Sequence, residues 1–446
     1  MYDLIVIGAG PGGYEAAAYA AKIGKKVALI EKNQLGGTCL NVGCIPAKTF
    51  LRSSKLFREC LQASSYGVRV SDPAFDMPTV VARKCQIVKT LNKGVQGLLK
   101  RSGVEVVHGH ARLVARNIVQ VENVAYEAVN ILIATGSRCA KPPIPGIDSE
   151  CTLNSDTVFD LQSVPKSIAI IGGGYIGLEF ACFFKEIGVE VTVYEMLPQI
   201  AAAADGEIAA RLRQILERKG IKFFLPAKVL RIEGNTLHFS ADGKDSSISA
   251  EYILNSTGRV PVVNDLGLES IGLDFGPKGI KTSEQGKTNV PGIWACGDVT
   301  GTCMLAHAAT REGIVAVNNM FGKKDRVRYQ ALPAVVYTHP EVAMVGKTEE
   351  ELKTSGIKYK KAVVPMAVAG RFLIENEAST GMVKVLCGAR FGEILGVHAI
   401  GDASSEFIVV AAAMIETDLS AYDSRRIVFP HPTVSEALHQ AIAEIQ

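Results

Sequence analysis

A glycine-rich motif occurs twice in this chain, each time between two apolar segments with strand character. The first copy, DLIVIGAGPGGYEAAAYAAKIGKKVALIEK, has its glycines and a following acidic residue at Gly8, Gly10, Gly13 and Glu31. The second copy, SIAIIGGGYIGLEFACFFKEIGVEVTVYEM, has them at Gly172, Gly174, Gly177 and Glu195. The step from third glycine to acidic residue is the same in both, which argues against two ordinary glycine-rich turns. Because such glycines let backbone approach a pyrophosphate at a helix N-terminus, the chain is predicted to bind two dinucleotides in Rossmann-like α/β folds.

The acidic residue of each copy is placed to accept hydrogen bonds from a ribose hydroxyl. A carboxylate at Glu195 would also repel a 2′-phosphate, which an arginine would attract. The second site is therefore expected to prefer NAD(H) to NADP(H).

Composition and charge limit the classes of function that are open to this chain. The 446 residues allow two to four domains, and the formal net charge of +3 gives no support for nucleic acid binding. The start, MYDLIVIGAGPGG, has no basic segment and no cleavage site, so no signal peptide is expected. The longest apolar stretch, 168–184, contains three consecutive glycines and Glu179, so it is expected to form strand, turn and helix and not a membrane span.

Two of the ten cysteines lie close together, in the segment GGTCLNVGCIPAK. There is no second pair to complete a zinc site, so Cys39 and Cys44 are either a reversible disulfide or two unrelated buried thiols. The other cysteines are scattered and are expected to be free thiols in a reducing compartment, which predicts a cytoplasmic location.

Further glycine signals outline the domain order. Two apolar strands end in Thr-Gly, at Thr135 and Gly136 in ILIATGSR and at Gly258 in ILNSTGR. They bracket an inserted domain built on the second motif, and the chain then returns to the first domain and reaches WACGDVT. Asp298 in that segment follows a strand, where its carboxylate could bind a polyol hydroxyl or could equally cap a turn.

A nicotinamide delivers a hydride, whereas a disulfide is reduced through thiolate chemistry. A flavin can link the two by accepting and passing on two electrons. Because the cysteine pair lies within the first dinucleotide unit, the first dinucleotide is expected to be FAD and the second NAD.

Six segments resemble, in the same order, motifs of the flavin-dependent pyridine nucleotide-disulfide oxidoreductases, and together they span nearly the whole chain. They are GGTCLNVGCIPAK, GGGYIGLE, WACGD, MLAHAATREG, YTHPEVAMVG and HPTVSEA. The resemblance implies an α/β fold with two Rossmann-like domains, for FAD and NAD, and a C-terminal α+β dimerisation domain. The expected boundaries are 1–140 and 260–325 for the FAD domain, 141–259 for the NAD domain and 326–446 for the interface domain.

Within that family, the branch that oxidises protein-bound dihydrolipoamide with NAD⁺ is the most similar. This implies a homodimer whose substrate is a lipoylated protein of a 2-oxo acid dehydrogenase or glycine cleavage complex. The resemblance also assigns Cys39 as the interchange thiol and Cys44 as the thiol next to the flavin. It implies that Lys48 and Glu179 pair beside the reactive flavin nitrogen, and that Ala306, in MLAHAATREG, lies at the FAD.

For two further residues, Tyr175 and His431, the sequence leaves alternative roles open. Tyr175 matches a position that covers the nicotinamide pocket in relatives, yet it could simply pack a helix against the sheet. His431 matches the family's base, supplied by the partner subunit and held by Glu436, although Thr433-x-x-Glu436 is also a capping box. His339 is the best rival base and is expected to be structural, and His307 is expected near the flavin without acting as a base.

Several departures and rivals remain. Many relatives have a histidine where this chain has Phe429, which leaves the fine tuning of the base open. A glutathione-type reductase using NADPH conflicts with Glu195, and a mercuric reductase conflicts with the HPTVSE ending. A non-catalytic redox-sensing subunit conflicts with retention of the cysteines, Lys48, His431 and Glu436. The apolar run FIVVAAAMI, 407–415, is either an interface helix or core.

Overall fold

The first motif lies in a sheet whose central strands are parallel. A computed structural model of the chain describes residues 1–376 and 380–445. Its first part forms β1 (Tyr2–Ile7), α1 (Pro11–Lys22), β2 (Val27–Glu31), α2 (Gly37–Val42), α3 (Cys44–Gln62), α4 (Met77–Ser102), β3 (Glu105–His108), β4 (Ala111–Ala115), β5 (Ile118–Val121) and β6 (Val124–Ile133). The strand order is β3-β2-β1-β6-β5-β4, parallel from β3 to β6 and antiparallel beyond it.

The second motif lies in a separate parallel sheet. This part forms β7 (Ser137–Cys139), β8 (Thr152–Asn154), β9 (Ser167–Ile171), α5 (Tyr175–Glu186), β10 (Glu190–Tyr194), α6 (Gly206–Arg218), β11 (Lys222–Phe224), β12 (Ala227–Glu233), β13 (Thr236–Ala241), β14 (Lys244–Ser249), β15 (Tyr252–Asn255) and β16 (Arg259–Pro261). The parallel sheet has the order β11-β10-β9-β15-β8, and β12, β13 and β14 form an antiparallel meander. The antiparallel pair β7 and β16 joins the two nucleotide-binding folds.

The chain then returns to the first sheet. It forms β17 (Phe275–Gly276), β18 (Gly279–Ile280), β19 (Ile293–Ala295) and α7 (Ala306–Met320). β19 pairs in parallel with β6 and so extends the first sheet to seven strands. α7 packs on α1 through small residues, because Ala16, Ala17 and Ala316 are fully buried and leave room for close approach.

The last part is an antiparallel sheet with helices. Its elements are β20 (Ala334–Val336), β21 (Val342–Gly346), α8 (Glu349–Thr354), β22 (Tyr359–Pro365), α9 (Gly370–Glu375), β23 (Met382–Gly388), β24 (Ile394–Ile400), α10 (Ser404–Glu416), α11 (Ala421–Ser424) and α12 (Glu436–Ala443). The strand order is β20-β21-β24-β23-β22. The run FIVVAAAMI lies in α10 and is mostly core, with Val409 59% exposed.

Burial explains the sequence patterns. β1 is a central parallel strand that is covered on both faces, so Leu4, Ile5 and Val6 are all buried. This explains why the strand is a continuous apolar run in the sequence. The apolar stretch 168–184 forms β9, the glycine turn and α5, as expected. No helix in the described ranges is both long and apolar enough to cross a bilayer.

A buried charge cluster fastens the second nucleotide fold to the C-terminal sheet. The Lys384 side chain is fully buried, and its Nζ lies 2.9 Å from Asp205, 3.1 Å from Glu207 and 2.6 Å from Glu349. Burial is the largest single effect and opposes ionisation, but several hydrogen bonds, led by the one from Lys384, together outweigh it and keep the pKa of both Asp205 and Glu349 below the usual range. The cluster is stable because each buried charge has a partner.

Replacing Lys384 with Met should destabilise the protein by about 3 kcal/mol or more, because it leaves buried carboxylates uncompensated. Urea unfolding of the purified protein measures this. The matched control is Lys353→Met, since Lys353 also pairs with Glu349 but is 61% exposed, and it should leave the midpoint nearly unchanged. Because the carboxyl pKa values are lowered on folding, their contribution should be lost as the pH falls below about 4. Equal effects of the two substitutions would contradict the assignment.

Candidate active site

The outer glycines of both motifs are required by the packing of the chain itself. Gly8 has φ +100°, and a Cβ there would lie 2.4 Å from the Ala134 carbonyl oxygen. Gly172 has φ +107°, and its Cβ would lie 2.5 Å from the Ser256 oxygen. The third glycines meet similar limits, because a Cβ on Gly13 or Gly177 would come within 1.9 Å or 2.1 Å of the carbonyl oxygen of the first glycine. The two turns are therefore built alike.

Packing within the chain does not require a glycine at the middle position of either motif. A Cβ on Gly174 would meet nothing within 4 Å, and one on Gly10 would meet only the Gly37 Cα at 4.0 Å. Each stands immediately before a 12-residue helix, α1 or α5, and neither helix has a side-chain cap. The free space and the unpaired N–H groups at these helix starts fit a dinucleotide pyrophosphate.

The acidic residue of each motif is held in one orientation. Glu31 accepts hydrogen bonds from the backbone N–H groups of Ala9 at 2.7 Å and Asn33 at 2.8 Å. Glu195 accepts the equivalent pair from Gly173 at 2.7 Å and Leu197 at 2.8 Å. Both carboxylates are thus fixed at the end of a strand and beside the glycine turn, where a ribose diol fits.

Cys39 and Cys44 form a disulfide, so the alternative of two unrelated thiols is wrong. Cys39 lies in α2 and Cys44 is the first residue of α3, with the two Cα atoms 4.6 Å apart. Both residues are partly exposed. Because Cys44 opens a 19-residue helix, the helix dipole favours a thiolate there when the bond is reduced.

Lys48 lies one helical turn after Cys44, so both side chains share a face of α3. Its Nζ is 2.8 Å and 2.9 Å from the two carboxylate oxygens of Glu179, whose side chain is 9% exposed. Glu179 also accepts from the Tyr337 N–H at 3.0 Å, and Lys48 lies 4.5 Å from the Tyr337 ring centre. The ion pair joins the two nucleotide-binding folds beside the disulfide.

Asp298 belongs to a network of polar side chains that extends to α2, the helix that contains Cys39. One of its oxygens accepts from the Ser137 hydroxyl at 2.5 Å, and Arg259 Nε donates to the same hydroxyl at 2.8 Å. Arg259 also reaches the Thr38 hydroxyl at 3.5 Å, next to Cys39. The Asp298 side chain therefore does not cap its own turn, and its second oxygen accepts no hydrogen bond from the described residues, so it could accept one from a polyol.

Sequence reasoning missed Ser137 and Arg259. A signal was available, because each follows one of the two Thr-Gly pairs that end parallel strands. It also missed Glu312, a buried residue whose carboxylate accepts from the Gly297 N–H at 2.6 Å and the Tyr329 hydroxyl at 3.0 Å. Burial is the main reason that the pKa of Glu312 is raised. Glu312 fixes the backbone just before Asp298.

The remaining candidates at the cofactor sites lie at ends of elements. Thr135 and Gly136 follow β6, Gly258 precedes β16, and Ala306 is the first residue of α7. Tyr175 begins α5 and packs against the core, with its hydroxyl 3.5 Å from the Met344 sulfur. Burial raises the pKa of Tyr175 to about 12. Tyr175 thus packs against the core, and its place at the nicotinamide pocket stays a prediction.

His431 and Glu436 are brought together by the turn before α12. His431 Nδ1 lies 2.8 Å from Glu436 Oε1, and the histidine side chain is 78% exposed. Glu436 Oε2 accepts from the Thr433 N–H at 2.9 Å, but no side chain of the described residues caps α12, so only one of the two hydrogen bonds of the expected capping box is formed beside the dyad. The hydrogen bond to His431 is the main cause of a lowered Glu436 pKa. In the described ranges no hydrogen bond links His431 to Cys39 or Cys44.

Two other histidines are engaged elsewhere. His307 Nε2 is 2.7 Å from the Pro333 carbonyl oxygen, and His339 Nδ1 is 3.1 Å from Asp402. Neither is hydrogen-bonded to the disulfide in the part of the chain that the structure describes. Within residues 1–376 and 380–445, no three histidine, cysteine or acidic side chains gather as a metal site.

Residues 2–313 match the family model described as pyridine nucleotide-disulphide oxidoreductase, and residues 332–442 match the dimerisation domain of that family. Dihydrolipoyl dehydrogenase 1, mitochondrial, of Arabidopsis thaliana is 39% identical, over 98% of this chain and 89% of that protein. Dihydrolipoyl dehydrogenase 3 of Pseudomonas aeruginosa is also 39% identical, over 100% of this chain and 98% of that protein.

Solved structures agree with this geometry. The HOCl-induced flavoprotein disulfide reductase RclA from Escherichia coli superimposes with a TM-score of 0.88 at 27% identity, and the match covers 100% of both chains. The match therefore extends over both nucleotide-binding folds and the C-terminal sheet. The chain belongs to the pyridine nucleotide-disulphide oxidoreductase family.

Proposed function

We propose that this protein oxidises protein-bound dihydrolipoamide to lipoamide and reduces NAD⁺ to NADH. The observation that carries the proposal is the Cys39–Cys44 disulfide at the start of α3, with the Lys48–Glu179 pair beside it. Full-length similarity to dihydrolipoyl dehydrogenases supports the substrate. Proteins of this family use FAD and NAD(H), and the two turns with open space at their middle glycines fit that pair.

The chemistry begins at sulfur. A thiolate of dihydrolipoamide attacks Cys39, which forms a mixed disulfide while the electron pair of the broken S–S bond leaves on Cys44. The second substrate thiol then displaces Cys39 and closes the lipoamide ring. Two protons and two electrons have left the substrate, and both cysteines are reduced. The start of α3 favours the negative charge on Cys44.

A base must take the first thiol proton. We assign this role to His431 of the partner subunit, since the side chain is exposed and, among the residues that the structure describes, has no hydrogen bond to the disulfide of its own chain. Glu436 orients the ring through Nδ1, which leaves Nε2 to accept the proton. The match of residues 332–442 to a dimerisation domain supports a homodimer that completes each site with residues of both chains.

The remaining groups hold the cofactors. Gly10 and Glu31 would hold the pyrophosphate and ribose of FAD, Asp298 a hydroxyl of its polyol chain, and Lys48 would lie beside its ring. Bound FAD supplies two-electron transfer between the reduced cysteine pair and NAD⁺. Gly174 and Glu195 would hold NAD⁺, and the carboxylate of Glu195 disfavours the 2′-phosphate of NADP⁺.

The partner is proposed to be a lipoylated protein of a 2-oxo acid dehydrogenase or glycine cleavage complex. Eight cysteines are free thiols, which supports a reducing compartment such as the cytoplasm. The similarity to RclA favours one second candidate, a reductase that keeps the cysteine pair but serves a different disulfide. Turnover of free dihydrolipoamide with NAD⁺ by the purified protein separates the two.

A mixed dimer tests whether each site uses both chains. Cys44→Ser chains and His431→Ala chains, carrying different tags, should each form inactive homodimers. The purified mixed dimer should regain about half of wild-type dihydrolipoamide oxidation, because one of its two sites contains every required group. An inactive mixed dimer would show that His431 does not act across the interface.

Replacing Glu195 with Gln should weaken the preference for NAD⁺, because it removes a negative charge facing the 2′-position. The ratio of kcat/KM for NAD⁺ to that for NADP⁺ should fall by about 10-fold. Glu31→Gln is the matched control, since it alters the equivalent carboxylate of the first motif, and it should leave the ratio unchanged. A wild-type enzyme that prefers NADP⁺ would refute the cofactor assignment.

Glu436→Gln should lower kcat for dihydrolipoamide oxidation on the order of 10- to 100-fold, because His431 loses the carboxylate that stabilises its protonated form. The pH–rate profile should also change, because the carboxylate contacts the base directly. Glu436→Asp should recover part of the rate. A purely structural role predicts lower stability with an unchanged pH profile, and that result would count against the dyad.

A further inference from the structure

The solvent face of α4 carries a row of positive charge. Lys89, Lys93 and Lys100 are exposed, and at 100° per residue they fall within a sector of about 40° around the helix. The opposite face is buried through Val80, Val95 and other apolar residues. We call these three residues the α4 lysine row.

The charge of this row is not neutralised locally. The sequence of α4 contains six lysines and arginines between Met77 and Ser102 and no aspartate or glutamate. In the described ranges, none of the three ammonium groups of the row forms an ion pair. The formal net charge of only +3 therefore hides a local positive field.

The α4 lysine row lies next to α2, the helix that contains Cys39. Asn92, which stands between Lys89 and Lys93 in the sequence, donates to the Leu35 carbonyl oxygen at 2.7 Å and to Asn41 Oδ1 at 3.0 Å. Asn41 is part of α2, two residues after Cys39. A macromolecule whose dithiol reaches Cys39 thus brings its own surface close to α4.

Resting on the proposed function, we propose that the α4 lysine row docks an acidic surface of the protein that carries the dihydrolipoyl group. Opposite charges steer encounter and fix orientation, and their effect falls with salt. An acidic protein fits better than single-stranded nucleic acid, because α4 offers no aromatic side chain on which a base could stack. α4 also lies outside residues 332–442, which match the dimerisation domain.

The test compares three substrates with the FAD-loaded enzyme: free dihydrolipoamide, a dihydrolipoyl-lysine peptide flanked by glutamates, and the same peptide with glutamines. At about 0.02 M NaCl the wild type should prefer the acidic peptide by about 10-fold in kcat/KM, and at about 0.3 M the preference should vanish. The variant K89E/K93E/K100E should lose the preference through KM while oxidising free dihydrolipoamide like the wild type.

The matched control is K222E/K228E/K244E, which makes the same charge change at exposed lysines of the second nucleotide fold and its meander. It should keep the preference for the acidic peptide. Equal preference in the wild type, or equal loss in both variants, would overturn the docking surface. So would row-dependent binding of a single-stranded oligonucleotide without any peptide preference. A wild type that does not oxidise free dihydrolipoamide would refute the proposed function itself, and the docking proposal with it.

Discussion

The ion pair between Lys48 and Glu179 is the contact on which the rest of the site depends. Lys48 follows Cys44 by one turn of α3, and Glu179 lies on α5, the helix that starts at the second glycine turn. This pair of charges, together with the apolar contact between α3 and α5, links the disulfide to the second nucleotide-binding fold. The Glu179 side chain is 9% exposed and that of Lys48 35%, so the carboxylate is held inside while the ammonium group keeps contact with solvent.

The features that could be predicted from the sequence are those encoded by local patterns. The repeated glycine motif predicted both turns because its chemistry is confined to one strand, one turn and one helix. The Arg259 network was missed because it joins Arg259 to Ser137 and Thr38, which lie 122 and 221 positions away and which only the fold brings together. For Glu436, the sequence offered a capping box or a partner for His431; within the described part of the chain α12 has no side-chain cap, and the carboxylate contacts His431 through one oxygen and the Thr433 N–H through the other.

Buried and exposed lysines have different roles in this protein, the buried one in stability and the exposed ones in recognition. Lys384 is fully buried among carboxylates, where the pairing of charges fixes one domain against another. The α4 lysine row is exposed and unpaired in the described ranges, so it costs little to maintain and acts at a distance. Neither feature is visible in the net charge of +3, because both depend on which side chains the fold turns inward.

The central claim is that a single bond, Cys39–Cys44, opens and closes between the thiol substrate and the nucleotide. Anaerobic reduction followed by alkylation and mass spectrometry tests this from both ends. Dihydrolipoamide alone, and NADH alone, should each expose both Cys39 and Cys44 to alkylation in the FAD-loaded protein, with labelling of the other eight cysteines unchanged. If NADH leaves the pair protected while dihydrolipoamide opens it, the electrons do not follow this route.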